Sequence, residues 1–191
     1  MENTNSVIGT HAPDFELPGI DQSSGNQTVQ VYHLGRYLAE ERAVCAVFMS
    51  NQCPYVRQYM ERLKQIQADF EGQGATLIGI NPNDAAVDPK EDLESMKTFV
   101  AEQQLNFPYL RDANQDVAHT FGVSVTPEVF LLDKQGVICY HGAIDNDANN
   151  PTAATTSYLR QALAEVLAGQ AITIKETAAV GTPIKWRHSE H

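Results

Sequence analysis

The chain has 191 residues, a formal net charge of −11 at pH 7 and a hydrophobic fraction of 42%. A chain of this length suggests a single domain, and its apolar content can form a sizeable core without disulfide bonds. The strong acidity repels phosphate backbones and anionic lipid surfaces, which argues against nucleic acid and membranes as partners.

The N-terminus and the hydropathy pattern predict a cytoplasmic protein. Residues 1–5 contain neither the basic region nor the apolar region of a secretory signal. No apolar run approaches the ~18 residues that a membrane-spanning helix needs. The three cysteines, Cys45, Cys53 and Cys139, are too few for a disulfide framework and favour a reducing compartment.

In the first half of the chain, an irregular arm precedes a strand and a long helix. Residues 1–27, rich in Asn, Ser, Gly and Gln, predict the arm, which a short strand at 28–31 and a short helix at 33–41 follow. The apolar run AVCAVFM at residues 43–49 predicts a strand buried on both faces. Apolar residues at three- and four-residue spacings then predict an amphipathic helix over residues 54–70, with a proline tolerated at its first position.

In the second half of the chain, strands and helices continue to alternate. The turn-rich tetrapeptide DKQG at residues 133–136, between two apolar runs, predicts a β-hairpin. A C-terminal extension at 170–187 includes an extended-looking run at 172–175. The other predicted elements are a strand at 75–80, a helix at 91–104, an extended piece at 107–110, a short helix at 114–121, hairpin strands at 128–132 and 137–140, and a last helix at 151–167.

This order of elements predicts an α/β fold with a mixed central sheet and helices on both faces. Early strands that alternate with helices imply right-handed parallel crossovers, and the late hairpin adds antiparallel strands. We expect one domain at residues 1–169, which includes the N-terminal arm, and a C-terminal extension at residues 170–191.

Cys53 lies at the predicted junction between a buried strand and a helix, where a thiol can be activated. The thiolate is the nucleophile, and a free cysteine with a pKa of about 8.5 is mostly protonated at neutral pH. The unpaired N–H groups and the dipole at the start of a helix favour the anion. Arg57, one helical turn further on, would add a positive charge if its side chain folded back, although an exposed helix face is the preferred interpretation of Tyr55 and Arg57.

Four sequence motifs resemble the alkyl hydroperoxide reductase/thiol-specific antioxidant (redoxin) branch of the thioredoxin superfamily. They are FMSNQCPYVR at residues 48–57, APDFELP at 12–18, FGVSVTP at 121–127 followed by VFLLD at 129–133, and GAID at 142–145. The resemblance implies a thioredoxin-like fold with Cys53 as the nucleophile. It further implies that Pro127 is a cis-proline opposite the thiol and that the backbone of Thr126 contacts a bound thiol or peptide.

The resemblance also raises candidate roles for Ser50 and for an arginine. Ser50-x-x-Cys53 resembles the core of peroxiredoxin sites, in which a hydroxyl and an arginine orient a peroxide. A strand-end hydroxyl that satisfies backbone groups is the alternative interpretation of Ser50. The arginine of those sites is missing from its usual strand, which leaves Arg57 and Arg111 as the nearby candidates.

The sequence departs from the resembled proteins at the positions that would assist Cys53. Val56 occupies the place of the second cysteine of a Cys-x-x-Cys pair, and Thr182 stands where similar proteins carry a C-terminal cysteine. We expect Cys45 and Cys139 to lie two strands apart, roughly 9–10 Å, beyond the ~7 Å limit between the Cα atoms of a disulfide. The resemblance therefore implies that an external thiol resolves an oxidised Cys53.

Two functional hypotheses follow from these observations. The first is a thiol-dependent oxidoreductase, a peroxiredoxin-like antioxidant enzyme, in which Cys53 attacks a peroxide or a protein disulfide and an external thiol reduces the product. The second is a non-catalytic peptide-binding or chaperone-like module that uses the groove at Thr126 and Pro127.

No cofactor or metal is expected for either hypothesis. The Asp/Asn-rich loop at residues 145–150 lacks the glutamate of an EF-hand loop, so we interpret it as a solvated loop, with Ca²⁺ binding as the alternative. The oligomeric state is left open, with a homodimer as one alternative.

Overall fold

The structure is a computed structural model that describes residues 6–188. Residues 1–5, on which the expectation about a secretory signal rests, and residues 189–191 at the end of the predicted extension lie outside the described residues. The division into a domain at 1–169 and an extension at 170–191 stays a prediction. Within the described range, no helix is both long enough and apolar enough to cross a membrane.

A seven-stranded mixed sheet forms the centre of the fold, and a separate two-stranded pair lies beside it. The strands are β1 Glu16–Asp21, β2 Asn26–His33, β3 Ala43–Phe48, β4 Ala75–Asn81, β5 Tyr109–Arg111, β6 Val125–Thr126, β7 Glu128–Asp133, β8 Ile138–Gly142 and β9 Thr182–Pro183. The order across the large sheet is β2-β1-β5-β4-β3-β7-β8, and β6 pairs with β9. β3, β4 and β5 run parallel, whereas the pairs on either side of them are antiparallel. The predicted mixed sheet is confirmed.

Helices cover both faces of the sheet, which confirms the predicted α/β architecture. The helices are α1 Leu34–Glu40, α2 Pro54–Phe70, α3 Leu93–Gln103, α4 Asp116–Phe121 and α5 Tyr158–Leu167. Leu63 of α2, Phe99 of α3 and Leu163 of α5 belong to the core on one face. Leu34 of α1 and Phe121 of α4 belong to the core on the other face.

The central strand β3 and the helix α2 place Cys53 at one edge of the sheet. All residues of β3 are buried, since β3 lies between β4 and β7 and both of its faces are covered. α2 begins at Pro54, as predicted, and Val56 on its inner face is fully buried. Cys53 is therefore the residue that joins the end of the buried strand to the start of the helix.

The prediction of an irregular arm at residues 1–27 is wrong, because β1 and the start of β2 lie within it. β1 pairs antiparallel with both β2 and β5. Gly19 of β1 favours a loop by its propensity, yet a Cβ added there would lie 2.6 Å from the carbonyl oxygen of Tyr109. The glycine permits a close approach of two strands, and this pairing overrides local propensity.

Two boundaries near the C-terminus also differ from the predictions. The predicted helix at residues 151–167 begins only at Tyr158, since the side-chain oxygen of Asn146 accepts the N–H groups of Thr155 and Thr156 and holds them in a loop. The extended-looking run at 172–175 is not a strand, and the strand of this region, β9, forms further along the chain.

Candidate active site

The Cys53 sulfur lies at the N-terminus of α2 and faces the loop before β7. Cys53 is the N-cap residue of α2, with Pro54 in the first turn and no capping hydrogen bond from its own side chain. The thiol donates instead to the carbonyl oxygen of Thr126 at 3.2 Å. Cys53 is 4% exposed, so its sulfur is largely enclosed.

The structure brings Ser50, Thr126 and Pro127 to the same place as Cys53. The Thr126–Pro127 peptide bond is cis, as the resemblance implied. The hydroxyls of Ser50 and Thr126 lie 3.1 Å apart and form a buried hydrogen bond with each other. These two hydroxyls link the end of β3 to the residue before the cis-proline, and they do so beside the sulfur.

Arg57 does not fold back onto the thiol. Its Nε atom donates to the carbonyl oxygen of Asn51 at 2.9 Å, and its guanidinium carbon lies 5.4 Å from the centroid of the Phe99 ring. The residue is exposed, in agreement with the preferred interpretation of the helix face. Arg57 therefore ties the turn before Cys53 to α2, and it is not placed as a charged partner of the sulfur.

A buried carboxylate, which the sequence analysis missed, holds the turn before Cys53. Glu91 is fully buried, and its two oxygens accept the backbone N–H groups of Asn51 and Gln52, each at 2.9 Å. It also accepts from the side-chain amide of Asn81 at 2.9 Å. The sequence provides no signal for this role, because Glu91 stands among other charged residues in a segment that predicts an exposed helix start.

Tyr109 adds a second constraint to the same turn. Its hydroxyl donates to the side-chain oxygen of Asn51 at 2.8 Å. Asn51 donates in turn to the carbonyl oxygen of Lys90 at 3.0 Å. The turn that leads into Cys53 is thus held by polar groups from two other segments, residues 90–91 and β5.

The C-terminal segment forms one wall of the site. Thr182 of β9 pairs with Thr126 of β6, and its Oγ1 atom lies 3.2 Å from the Cys53 sulfur. A Cβ on Gly181 would lie 2.1 Å from the carbonyl oxygen of Thr126, so only glycine allows this approach. The sequence marks Thr182 only as the position of a missing cysteine and carries no signal of its contact with the thiol.

The other two cysteines lie in strands and away from this junction. Cys45 is fully buried in β3, where burial first and the neighbouring Cys139 second raise the pKa of its thiol well above its usual value. Burial and the charge of Asp133 raise the pKa of Cys139 to about 12. All three cysteines are free, and β7 separates β3 from β8, as expected from the predicted strand order.

A histidine between two glutamates attaches the C-terminal segment to the residue after Pro127. His141 Nε2 lies 2.5 Å from Glu128, and His141 Nδ1 lies 3.3 Å from Glu176. Burial alone would lower the pKa of His141, but the two carboxylates more than offset it and raise that pKa. Glu128 also accepts from the backbone and hydroxyl of Ser124, which fixes the loop before the cis-proline.

The carboxylates of the Asp/Asn-rich loop are engaged by protein groups. Asp145 accepts from the Tyr59 hydroxyl at 2.8 Å, from Arg62 at 2.7 Å and from the N–H of Asp147 at 3.0 Å. Over residues 6–188, no group of three or more His, Cys, Asp or Glu side chains could hold a metal ion. Through Tyr59 and Arg62, Asp145 ties the loop to α2.

Comparisons with known proteins agree with the observed architecture. A sequence profile described as the AhpC/TSA family matches residues 8–141. The thiol-disulfide oxidoreductase ResA of Oceanobacillus iheyensis is 24% identical over 140 residues, which are 72% of this chain and 67% of that protein.

Two solved structures resemble the whole fold. The crystal structure of a hypothetical protein from Sinorhizobium meliloti 1021 has 35% identity and a TM-score of 0.85, with 98% of each chain covered. The crystal structure of peroxidoxin BcpB from Mycobacterium tuberculosis has 19% identity and a TM-score of 0.63, with 85% of this chain and 96% of that chain covered. These likenesses confirm the thioredoxin-like fold.

Proposed function

The chain belongs to the AhpC/TSA family, and from this membership we propose that it is a thiol-dependent oxidoreductase with Cys53 as its single nucleophile. The observation that carries the proposal is the place of the sulfur at the start of α2, next to the residue before the cis-proline. Backbone N–H groups at a helix start favour the thiolate, which is the reacting form. Ser50, Thr126 and Pro127 shape the site, and Arg57 positions its backbone.

The proposed oxidant is a peroxide. The Cys53 thiolate attacks one peroxide oxygen, so that an S–O bond forms and the O–O bond breaks. The leaving oxygen takes a proton from solvent to give an alcohol or water, and Cys53 becomes a sulfenic acid. One external thiol then displaces water to form a mixed disulfide, and a second external thiol releases Cys53 as the thiol. Two thiols are oxidised to a disulfide for each peroxide reduced.

The external thiol is proposed because neither remaining cysteine can reach Cys53 without unfolding a strand. Cys45 lies inside β3, and Cys139 lies in β8 with its thiol donating to the carbonyl oxygen of Leu131 at 3.4 Å. Val56 fills the helix position at which a second thiol would stand, and its side chain is fully buried. The free cysteines also support the proposal that the protein works in a reducing compartment, the cytoplasm.

The enclosed sulfur favours a small oxidant over a protein disulfide. An extended protein substrate would need to pair with the backbone beside the cis-proline, but β9 already pairs with Thr126 there. The same pairing argues against the alternative of a non-catalytic peptide-binding module, because that function also needs this edge. The second candidate oxidant is a protein disulfide, for which insulin serves as the test substrate.

The test compares peroxide consumption by the wild type, Cys53→Ser and Cys139→Ser, each with and without added low-molecular-weight thiol. We expect thiol-dependent turnover in the wild type and in Cys139→Ser, none in Cys53→Ser, and trapping of a sulfenic acid at Cys53. Equal turnover in Cys53→Ser, or no modification of Cys53, would contradict the proposal. Reduction of insulin without added thiol would contradict the external resolving thiol.

A further inference from the structure

The Cys53 sulfur has two polar neighbours with opposite chemical preferences. The carbonyl oxygen of Thr126 can only accept a hydrogen bond, so its contact at 3.2 Å favours the protonated thiol. The hydroxyl of Thr182, also at 3.2 Å, can accept or donate. Once the sulfur has lost its proton, Thr182 is the one of these two neighbours that can donate a hydrogen bond to it.

The other two hydroxyls of the site are engaged with each other. Ser50 and Thr126 share a buried hydrogen bond of 3.1 Å, and the hydrogen-bond contacts of the sulfur within residues 6–188 are those with Thr126 O and Thr182 Oγ1. The hydroxyl of Thr182 is therefore the one that is placed to turn toward the sulfur as its charge develops.

The backbone of Thr182 is held firmly enough to keep this hydroxyl in position. The segment pairs with β6, and just beyond it the N–H of Ile184 donates to the carbonyl oxygen of Ser124 at 3.2 Å. The backbone N–H of Lys185 donates to the side chain of Asn83 at 2.9 Å, and its ammonium group pairs with Asp88 at 2.6 Å. Ile184 itself is buried in the core.

We infer that Thr182 is a catalytic residue, whose hydroxyl donates a hydrogen bond to the Cys53 thiolate and so increases the fraction of reactive sulfur at neutral pH. The inference rests on the proposed function, since it assigns a role at the same sulfur. When the thiol is protonated, its S–H bond points to Thr126 O. When the proton has passed to solvent, the O–H bond of Thr182 points to the sulfur, and the negative charge is stabilised.

The test is the rate of alkylation of Cys53 by iodoacetamide as a function of pH, followed by peptide mapping of the full chain. Thr182→Val and Thr182→Ala remove the hydroxyl, Thr182→Ser keeps it, and Thr120→Val is a matched change at an exposed threonine of α4. We expect the two hydroxyl-free variants to react about tenfold more slowly at pH 7, the effect of one hydrogen bond of ordinary strength. Their rates should converge with that of the wild type at high pH, where the sulfur is deprotonated in every variant.

Thr182→Ser should restore the rate at pH 7, and Thr120→Val should match the wild type. Wild-type rates in both hydroxyl-free variants would overturn the inference. An equal slowing at every pH would also overturn it, because that pattern indicates a change of access and not of protonation. Iodoacetamide needs no peroxide, so a wild type that is alkylated normally but consumes no peroxide would contradict the proposed function alone.

Discussion

Cysteines occur in two regions of the molecule. Cys53 lies at the edge of the sheet where α2 begins, whereas Cys45 and Cys139 lie within its strands. In the strands, burial is the first cause that raises the pKa of both thiols, and the second is Cys139 for Cys45 and Asp133 for Cys139. At the edge, the sulfur meets a helix start and a hydroxyl. The comparison teaches that thiol reactivity depends on the burial of the sulfur together with the groups that face it.

The largest expected effect is the difference in alkylation rate between the two regions in the native protein. A pKa of about 12 for Cys139, against about 8.5 for a free cysteine, leaves ~10⁻⁴ of the Cys139 thiol ionised at pH 8. We therefore expect Cys139 to react about a thousandfold more slowly than a free cysteine, and Cys45, with its raised pKa and full burial, to react no faster than Cys139. Peptide mapping after timed alkylation measures each rate.

The control for this prediction is alkylation in concentrated urea, where all three cysteines should react alike. An alkylation rate of Cys139 in the native protein that equals its rate in urea would contradict the expected difference between the two regions.

The second effect concerns the carboxylate that holds the edge region together. Glu91→Ala leaves the N–H groups of Asn51 and Gln52 buried without an acceptor, so we expect a loss of about 3 kcal/mol in the free energy of unfolding. Glu91→Gln keeps one acceptor oxygen and should lose about half as much. Urea denaturation measures both losses.

Glu94→Ala is the matched control, since Glu94 is exposed and pairs with Lys97 on the surface of α3. Its change should stay within about 0.5 kcal/mol. A Glu91→Ala protein as stable as Glu94→Ala would show that the turn before Cys53 does not depend on the buried carboxylate.

The parts of the fold that the sequence predicts are those with strong local periodicity. The buried strand at residues 43–49 and the helix from Pro54 to Phe70 were predicted with nearly the observed bounds, because apolar spacing and a first-turn proline are local signals. β1 was missed because Pro18 and Gly19 disfavour a strand locally, whereas β2 was predicted in part, at residues 28–31. The stability of β1 comes from pairing with β5, which is distant in sequence.

The residues of the candidate site likewise fall into two groups, those with a local sequence signal and those without one. Cys53, Ser50 and the cis-proline follow from motifs that are contiguous in sequence, so they could be predicted. Glu91 and Thr182 could not be assigned their roles, because each reaches the site only through tertiary contacts with residues 40 and 129 positions away. Their residue types, a glutamate among charges and a threonine near the C-terminus, carry no signal of such contacts.

The third effect comes from placing a second cysteine beside Cys53, so that a disulfide can form. In Thr182→Cys, the new sulfur would stand where the Thr182 hydroxyl now lies, 3.2 Å from the Cys53 sulfur. We expect a disulfide between residues 53 and 182 under mild oxidation, with protection of Cys53 from alkylation and a gain of about 2 kcal/mol in the free energy of unfolding. Mass spectrometry of the intact and the reduced protein detects the bond. Thr182→Ser under the same oxidant should show neither change, and two free thiols in oxidised Thr182→Cys would contradict the contact.

The smallest effect concerns the attachment of the C-terminal segment that carries Thr182. Because Glu128 and Glu176 raise the pKa of His141 above its unfolded value of about 6.5, the charged imidazole contributes stability that is complete below pH ~6.5 and is lost as the pH rises through the folded pKa. We therefore expect the difference in unfolding free energy between the wild type and His141→Gln to be largest near pH ~6 and to shrink toward pH ~9, by about 1 kcal/mol.

His141→Gln also loses the stacking on Phe130, which adds an offset that is the same at every pH. The test is therefore the change of the free-energy difference with pH. A difference for His141→Gln that is constant with pH would mean that the imidazole holds the segment without its charge.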